Sequence, residues 1–274
     1  MPDNEEAWSG KSGNAILSYA PGDGMQTITI PRRFRGPPNS GNGGYVCGML
    51  ARQIAGAAEV TLRAPPPLET ELDLVEVGKG AWELRQGTAT VAIGRAVTLD
   101  LSWLERATYA EAVEAEKCTP VKPHEHLLPM CFVCGPDRAP GDGLRLFAGP
   151  LVRQHAGGAF AVPWTPDASL AAADGLVATE FVWSALDCPT GYVSQYEPKT
   201  GNTNVLPILL GRLSVRIDGR PRPGERCVVT SWKTGSEGRR LIAEAALFGE
   251  EENLLAVARA IWIVVDRQVQ LGKT

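Results

Sequence analysis

The chain repeats itself. A strand-like run at residues 25–31 (Met-Gln-Thr-Ile-Thr-Ile-Pro) returns at residues 158–163, so that Pro31 and Pro163 stand 132 positions apart. Gly43 and Gly175 differ by the same 132 positions, and each leads into an apolar segment of helical length, residues 45–58 in the first half and 176–193 in the second. β-rich sequence broken by proline and glycine follows each helix: residues 59–63, 69–77, 81–86 and 88–101, then again 213–217, 226–234, 239–247 and 254–265. Each half is therefore one strand, one helix and about four antiparallel strands, an α+β layer arrangement. A helix that is apolar on nearly every face has to be surrounded by its sheet. The two halves are expected to superpose about a pseudo-two-fold axis.

Thr61 and Ser214 are 153 positions apart, so the second half carries about 21 extra residues, and residues 195–207, rich in Pro, Gly, Asn and Thr, read as the inserted loop and a candidate lid. The expected boundaries are a first unit over 14–104, a linker over 105–130 and a second unit over 131–268. Within the linker, the alanine- and glutamate-rich residues 105–117 predict a solvated connecting helix. A net charge of −4, from 27 basic and 31 acidic residues, offers no phosphate-neutralising surface, so nucleic acid is not expected as a partner. Apolar runs such as residues 256–265 fall far short of the roughly 20 residues of a membrane helix, so no membrane partner is expected. Residues 1–13 open with Asp3, Glu5 and Glu6 rather than a basic and then apolar leader, which predicts a cytoplasmic protein whose six cysteines stay reduced.

Chemistry-bearing residues are few. Glu180 and Asp187 are the only carboxylates of the second helical segment, and a charge there is costly to bury without a purpose. Seven residues put them on one face but about 10 Å apart, too far to share a proton. Pro189 has no N–H for the carbonyl four residues earlier, which predicts a kink or an end beside Asp187. The first helix opens with Asn39-Ser40-Gly41-Asn42-Gly43-Gly44, where glycines admit a ligand to the backbone and free N–H groups favour an oxyanion. Cys118, His124, His126, Cys131 and Cys134 include a Cys-x-x-Cys, although structural zinc sites usually pair two such knuckles at tighter spacing. Cys188 lacks a histidine in either helix to activate it, the three histidines being His124, His126 and His155.

Cys131-Phe132-Val133-Cys134-Gly135-Pro136-Asp137, followed by Gly143-Leu144-Arg145-Leu146, resembles the N-terminal signature of phenylacetate-type (PaaI-like) hotdog acyl-CoA thioesterases. Those proteins continue with His-Gly-Gly and an Asp or Glu seven residues after the second glycine. Here Ala178-Thr179-Glu180 stands in place of His-Gly-Gly, and Asp187 follows Glu180 by seven residues. The resemblance implies two tandem hotdog units, each an antiparallel sheet wrapped around a central helix, and a composite site in which one unit supplies a glycine amide and the other the carboxylate. The gapless register places Gly48 opposite Glu180 and Ala55 opposite Asp187. A register shifted by one turn matches Asn42-Gly43-Gly44 to His-Gly-Gly. Either Gly48 or Gly44 would then donate the amide, Asp187 would be base or nucleophile, and Asn42 or Asn39 would hold water or the substrate carbonyl. The reciprocal cleft, Glu180 with Ala55, would lack an acid.

The resemblance further implies an acyl-CoA or acyl-carrier thioester substrate, no cofactor and no metal at the Cys-x-x-Cys. A homodimer of such chains is possible on the same grounds. Arg32, Arg33 and Arg35 are candidates for the carrier's phosphates, and Met49, Trp183 and Tyr192 for the wall of an acyl tunnel. A hotdog dehydratase would need a catalytic histidine paired with an acid. The alternative in a different class is an acyl-CoA binding or sensing module that kept the cleft and lost turnover.

Overall fold

The computed structural model of the chain describes residues 17–19, 26–101, 103–152, 158–197, 202–203 and 205–272. The first half runs β1 (Leu17–Tyr19), β2 (Gln26–Thr29), α1 (Gly43–Ala51), β3 (Ala58–Leu62), β4 (Glu71–Gly78), β5 (Ala81–Gln86) and β6 (Ala89–Ala96). After α2 (Tyr109–Lys117), the second half runs β7 (Gly149–Pro150), β8 (Phe160–Trp164), α3 (Thr179–Ser194), a short hairpin of β9 (Tyr196–Glu197) and β10 (Asn202–Thr203), then β11 (Ile208–Ile217), β12 (Cys227–Glu237), β13 (Arg240–Phe248), β14 (Leu254–Val264) and α4 (Arg267–Gln270). The hairpin occupies part of the inserted loop expected at 195–207. Residues 198–201 and 204 of that candidate lid lie outside the described residues.

Twelve strands form one antiparallel sheet in the order β1-β2-β4-β5-β6-β3-β11-β14-β13-β12-β8-β7. Each half contributes six, and the halves meet where β3 pairs with β11, from Val215 opposite Ala58 to Arg212 opposite Thr61. The expected duplication is thus present as two six-stranded units joined edge to edge, which leaves neither unit an open edge at the seam. One continuous apolar core runs under both units and holds α1 and α3 side by side. Phe34, Tyr45, Phe132 and Phe181 interlock at its centre, with the Phe34 and Tyr45 rings stacked 4.2 Å apart.

Several boundaries differ from the sequence expectation. Helix α1 ends at Ala51 rather than near residue 58, because the chain turns through Gly56 (φ +76°) and Ala58 already opens β3. The helix in the second half does not stop at Pro189 but continues to Ser194. The carbonyl left without a helical donor is that of Ala185, in a helix buried from Glu180 to Ser194 and anchored to the sheet by Ser231 Oγ donating to Pro189 O at 2.9 Å. Packing on every side then outweighs the missing N–H. Helix α2 is not a solvated connector. Its Ala112 and Ala115 are buried against the outer face of the second sheet in a second apolar cluster with Ala159, Ala161, Trp232 and Phe248.

The seam carries one ionic cluster. Glu59 on β3 accepts from Arg95 at 2.8 Å and from Ser214 on β11 at 3.2 Å, and lies 3.7 Å from Arg212 on β11. Burial alone would raise its carboxyl, but the Arg95 hydrogen bonds and the two guanidiniums outweigh burial and hold it below the usual carboxylate range. A depressed folded-state pKa contributes stability above the unfolded value, which is lost as pH falls through the folded one. Glu59→Gln is therefore expected to cost about 1 kcal/mol at neutral pH. Urea midpoints of the variant and the parent should converge once the pH falls below the usual carboxylate range, and a gap that persists there would show that the loss is not electrostatic.

Candidate active site

Helix α1 begins with three free N–H groups to satisfy, and the way they are satisfied builds the site. Asn42 is the N-cap. Its Oδ1 accepts from Tyr45 N at 2.9 Å, which fixes its rotamer and turns the amide nitrogen outward from the helix end. That nitrogen, Nδ2, donates to Asp187 Oδ2 on α3 at 2.9 Å, and Gly44 N donates to the same oxygen at 3.0 Å. Asp187 is 1% exposed. Its other oxygen, Oδ1, has no hydrogen-bond partner and is buried. Burial pushes the Asp187 carboxyl up to about 7, against the opposing pull of the Gly44 N–H and Asn42 donors. A carboxyl with that pKa exchanges protons readily near neutrality.

The glycine is required by proximity. A Cβ at Gly44 would stand 2.5 Å from Asp187 Cβ and 2.9 Å from Trp183 O, so any side chain there would push α1 off α3. Gly48 makes a similar approach one turn on, where a Cβ would stand 2.6 Å from Glu180 Cα. Its N–H lies too far along α1 to be free, since only the first turn has unsatisfied donors. Of the two amides left open by the sequence, Gly44 is the one beside Asp187, and Gly48 is a packing residue. The helices start at Gly43 and Thr179, an offset of 136 rather than 132, which is the shifted register.

In that register the counterpart of Asp187 is Ala51, and Ala55 is an exposed residue beyond the helix. Glu180 is 6% exposed and faces Arg52 at 3.6 Å. The symmetry-related position is thus closed by an ion pair where the first has an amide and a carboxylate. Asn39 is exposed in the preceding turn and lines no part of the site, so Asn42 alone serves it.

Asp187 lies in the wall of a cavity of about 320 Å³ at the junction of the halves. Asn42, Gly43, Cys131, Cys134 and Cys188 share its inner end with Asp187, while Leu62, Leu206, Ile208, Leu210 and Ile263 give it an apolar flank. Tyr192 lines it as expected, whereas Met49 and Trp183 are core residues and do not. None of Arg32, Arg33 or Arg35 reaches it. Arg33 is committed to structure, donating to Gly141 O and Asp142 O and to Ser169 Oγ of the second half. The cation at the cavity wall is Arg63, exposed after β3, which the sequence did not single out because nothing local distinguishes a lone surface arginine. His126 also lines the cavity, its Nδ1 accepting from Leu128 N, and burial lowers its pKa.

No family model matches the chain, and no curated protein matches it by sequence. Solved structures do. The chain is similar to an acyl-CoA thioesterase II, TesB2, of Mycobacterium marinum, with 10% identity, a TM-score of 0.55, and 88% of this chain and 93% of that chain covered. A tesB protein of Mycobacterium avium subspecies paratuberculosis gives 12%, 0.54, 88% and 93% in the same order. A hotdog-fold protein of unknown function from Alicyclobacillus acidocaldarius gives 11%, 0.58, 92% and 96%. The fold is a double hotdog, and the likeness extends over nearly the whole of each chain.

Proposed function

We propose that this double-hotdog protein is an acyl-CoA thioesterase-like hydrolase with one working site, built from the α1 amide of one half and the α3 carboxylate of the other. The observation that carries the proposal is Asp187 itself. Its Oδ2 is held by Gly44 N and Asn42 Nδ2, and its buried Oδ1 is unpartnered on a residue that lines the cavity. The solved structures whose names describe thioesterases lend support, as does the resemblance around Cys131–Cys134 and Asp187.

In this reading a thioester carbonyl enters from the cavity and its oxygen takes over the Gly44 N–H from Asp187, while Asn42 keeps the carboxylate aligned. Water attacks the carbonyl carbon and gives its proton to Asp187 Oδ1, or the carboxylate attacks the carbon directly and water afterwards hydrolyses the resulting acyl anhydride, freeing the acid and restoring Asp187. The oxyanion is held by the Gly44 amide at the start of α1. Collapse breaks the C–S bond, the thiolate leaves with the electron pair, and it takes a proton to become the free thiol. Release of free CoA from a panel of acyl-CoA thioesters tests the reading. Tight binding without release would move it to a binding or sensing module, and neither would end both.

Arg63 at the wall is the group suited to the carrier's phosphates. Arg63→Ala is expected to raise KM for acyl-CoA several-fold with kcat nearly unchanged, because a remote contact made equally in ground and transition states affects binding alone. Thioesters of N-acetylcysteamine, which carry no phosphate, should not distinguish the variant from the parent. An equal loss on both substrates would remove Arg63 from phosphate recognition.

A further inference from the structure

Beside Asp187 the fold gathers three thiols that the sequence keeps apart. Cys131 and Cys134 come from the turn before β7, and Cys188 comes from α3. Their sulfur atoms all lie within 4.8 Å of one another, with Cys131 Sγ and Cys188 Sγ 3.9 Å apart, and all three residues are buried. Two thiols on a tetrahedral zinc ion, with Zn–S bonds of about 2.3 Å, stand about 3.8 Å apart, so the cluster is already close to the spacing of a metal site. Cys118 and His124, weighed with the Cys-x-x-Cys from sequence, are exposed and do not complete it.

The turn that carries the first two thiols is shaped like a ligand knuckle. Gly135 N donates to Cys131 O at 2.9 Å, and a Cβ at Gly135 would stand 2.5 Å from that carbonyl, so only glycine closes the turn. Backbone N–H groups of Val133 and Cys134 face Cys131, and Asn42 Nδ2 lies 3.8 Å from its sulfur.

We propose that Cys131, Cys134 and Cys188 form a three-thiolate site for a thiophilic d¹⁰ divalent cation of the zinc class, with a fourth coordination position reached from the cavity. Each thiol that ligates gives its proton to solvent as its Sγ–metal bond forms, so binding releases protons. The site does not depend on the hydrolase reading, since a protein that cleaves no thioester would bind the ion equally.

The test uses the intact, fully reduced chain and cobalt(II) as a spectroscopic stand-in for zinc. One equivalent should produce thiolate-to-cobalt charge-transfer absorption in the near ultraviolet and the visible bands of a tetrahedral ion, and one equivalent of zinc should displace them. Cys188→Ser should lose the spectrum and Cys118→Ser should keep it. Because a serine buried in place of a thiol can weaken the fold, the parent protein supplies a second readout: alkylation mapped by mass spectrometry should show Cys131, Cys134 and Cys188 protected by zinc and reactive after chelation, with Cys118 reactive throughout. Absence of the spectrum in the reduced parent, its survival in a folded Cys188→Ser variant, or zinc protection of none of the three would overturn the proposal.

Discussion

Asp187→Asn is expected to lower thioester hydrolysis by about 10²-fold or more while the fold is retained. The substitution keeps the shape of the side chain and removes only its ability to take a proton or attack a carbon. It also removes a charge that has to be desolvated in a site 1% exposed, so no loss of stability should accompany the loss of rate. The comparison that gives the result meaning is Glu180→Gln. Glu180 sits at the symmetry-related position, faces Arg52 and takes no part in the Gly44 contact, so turnover should stay within a few-fold of the parent. Steady-state CoA release by both variants, together with their thermal melts, decides the matter. If Glu180→Gln abolishes hydrolysis and Asp187→Asn does not, the working carboxylate has been misassigned.

Gly44→Ala should be nearly as damaging by a different route. Its Cβ meets Asp187 Cβ, Trp183 O and Ser184 Cα at 2.5 to 3.0 Å, and two of those three contacts are backbone atoms that cannot rotate away. The helices must separate, at a cost of about 1–3 kcal/mol. The amide also moves away from the carboxylate and from the site of the carbonyl oxygen, and displacement on the order of 1 Å can cost about 10²-fold in rate. Gly48→Ala separates the two effects. It meets Glu180 Cα at 2.6 Å and should cost similar stability, but it carries no free amide, so its rate loss per folded molecule should be at least about ten-fold smaller. Equal rate losses for the two variants would mean that Gly44 acts through packing alone.

The duplication was legible because it is written in local signals: alternating strands, proline stops, glycine before a helix, and turn residues that recur at one offset. Those signals report backbone preference, so they located both central helices and nearly all of the long strands. The ends of the helices were not legible. Pro189 argues locally for a stop, and only the burial of every residue from Glu180 to Ser194 in the closed core shows why the helix continues. The connecting helix, expected over 105–117, spans Tyr109–Lys117, and its packing role was not legible, because Ala112 and Ala115 look neutral until the outer face of the second sheet is laid against them.

The site divides in the same way. Asp187 stood out in the sequence as a carboxylate inside an apolar helix, and Asn42 and Gly44 as a polar and glycine-rich helix start, because burial cost and helix-end chemistry are properties of short segments. Which glycine faces the acid was decided by the packing of α1 on α3, where a shift of one turn exchanges Gly44 for Gly48, and a pattern of apolar residues is indifferent to such a shift. The second position, closed by Glu180 and Arg52, and the meeting of Cys131 and Cys134 with Cys188 likewise depend on contacts between residues about 55 to 130 positions apart. A sequence on its own carries the preferences of each segment, whereas the distances between segments exist only once the core has closed around them.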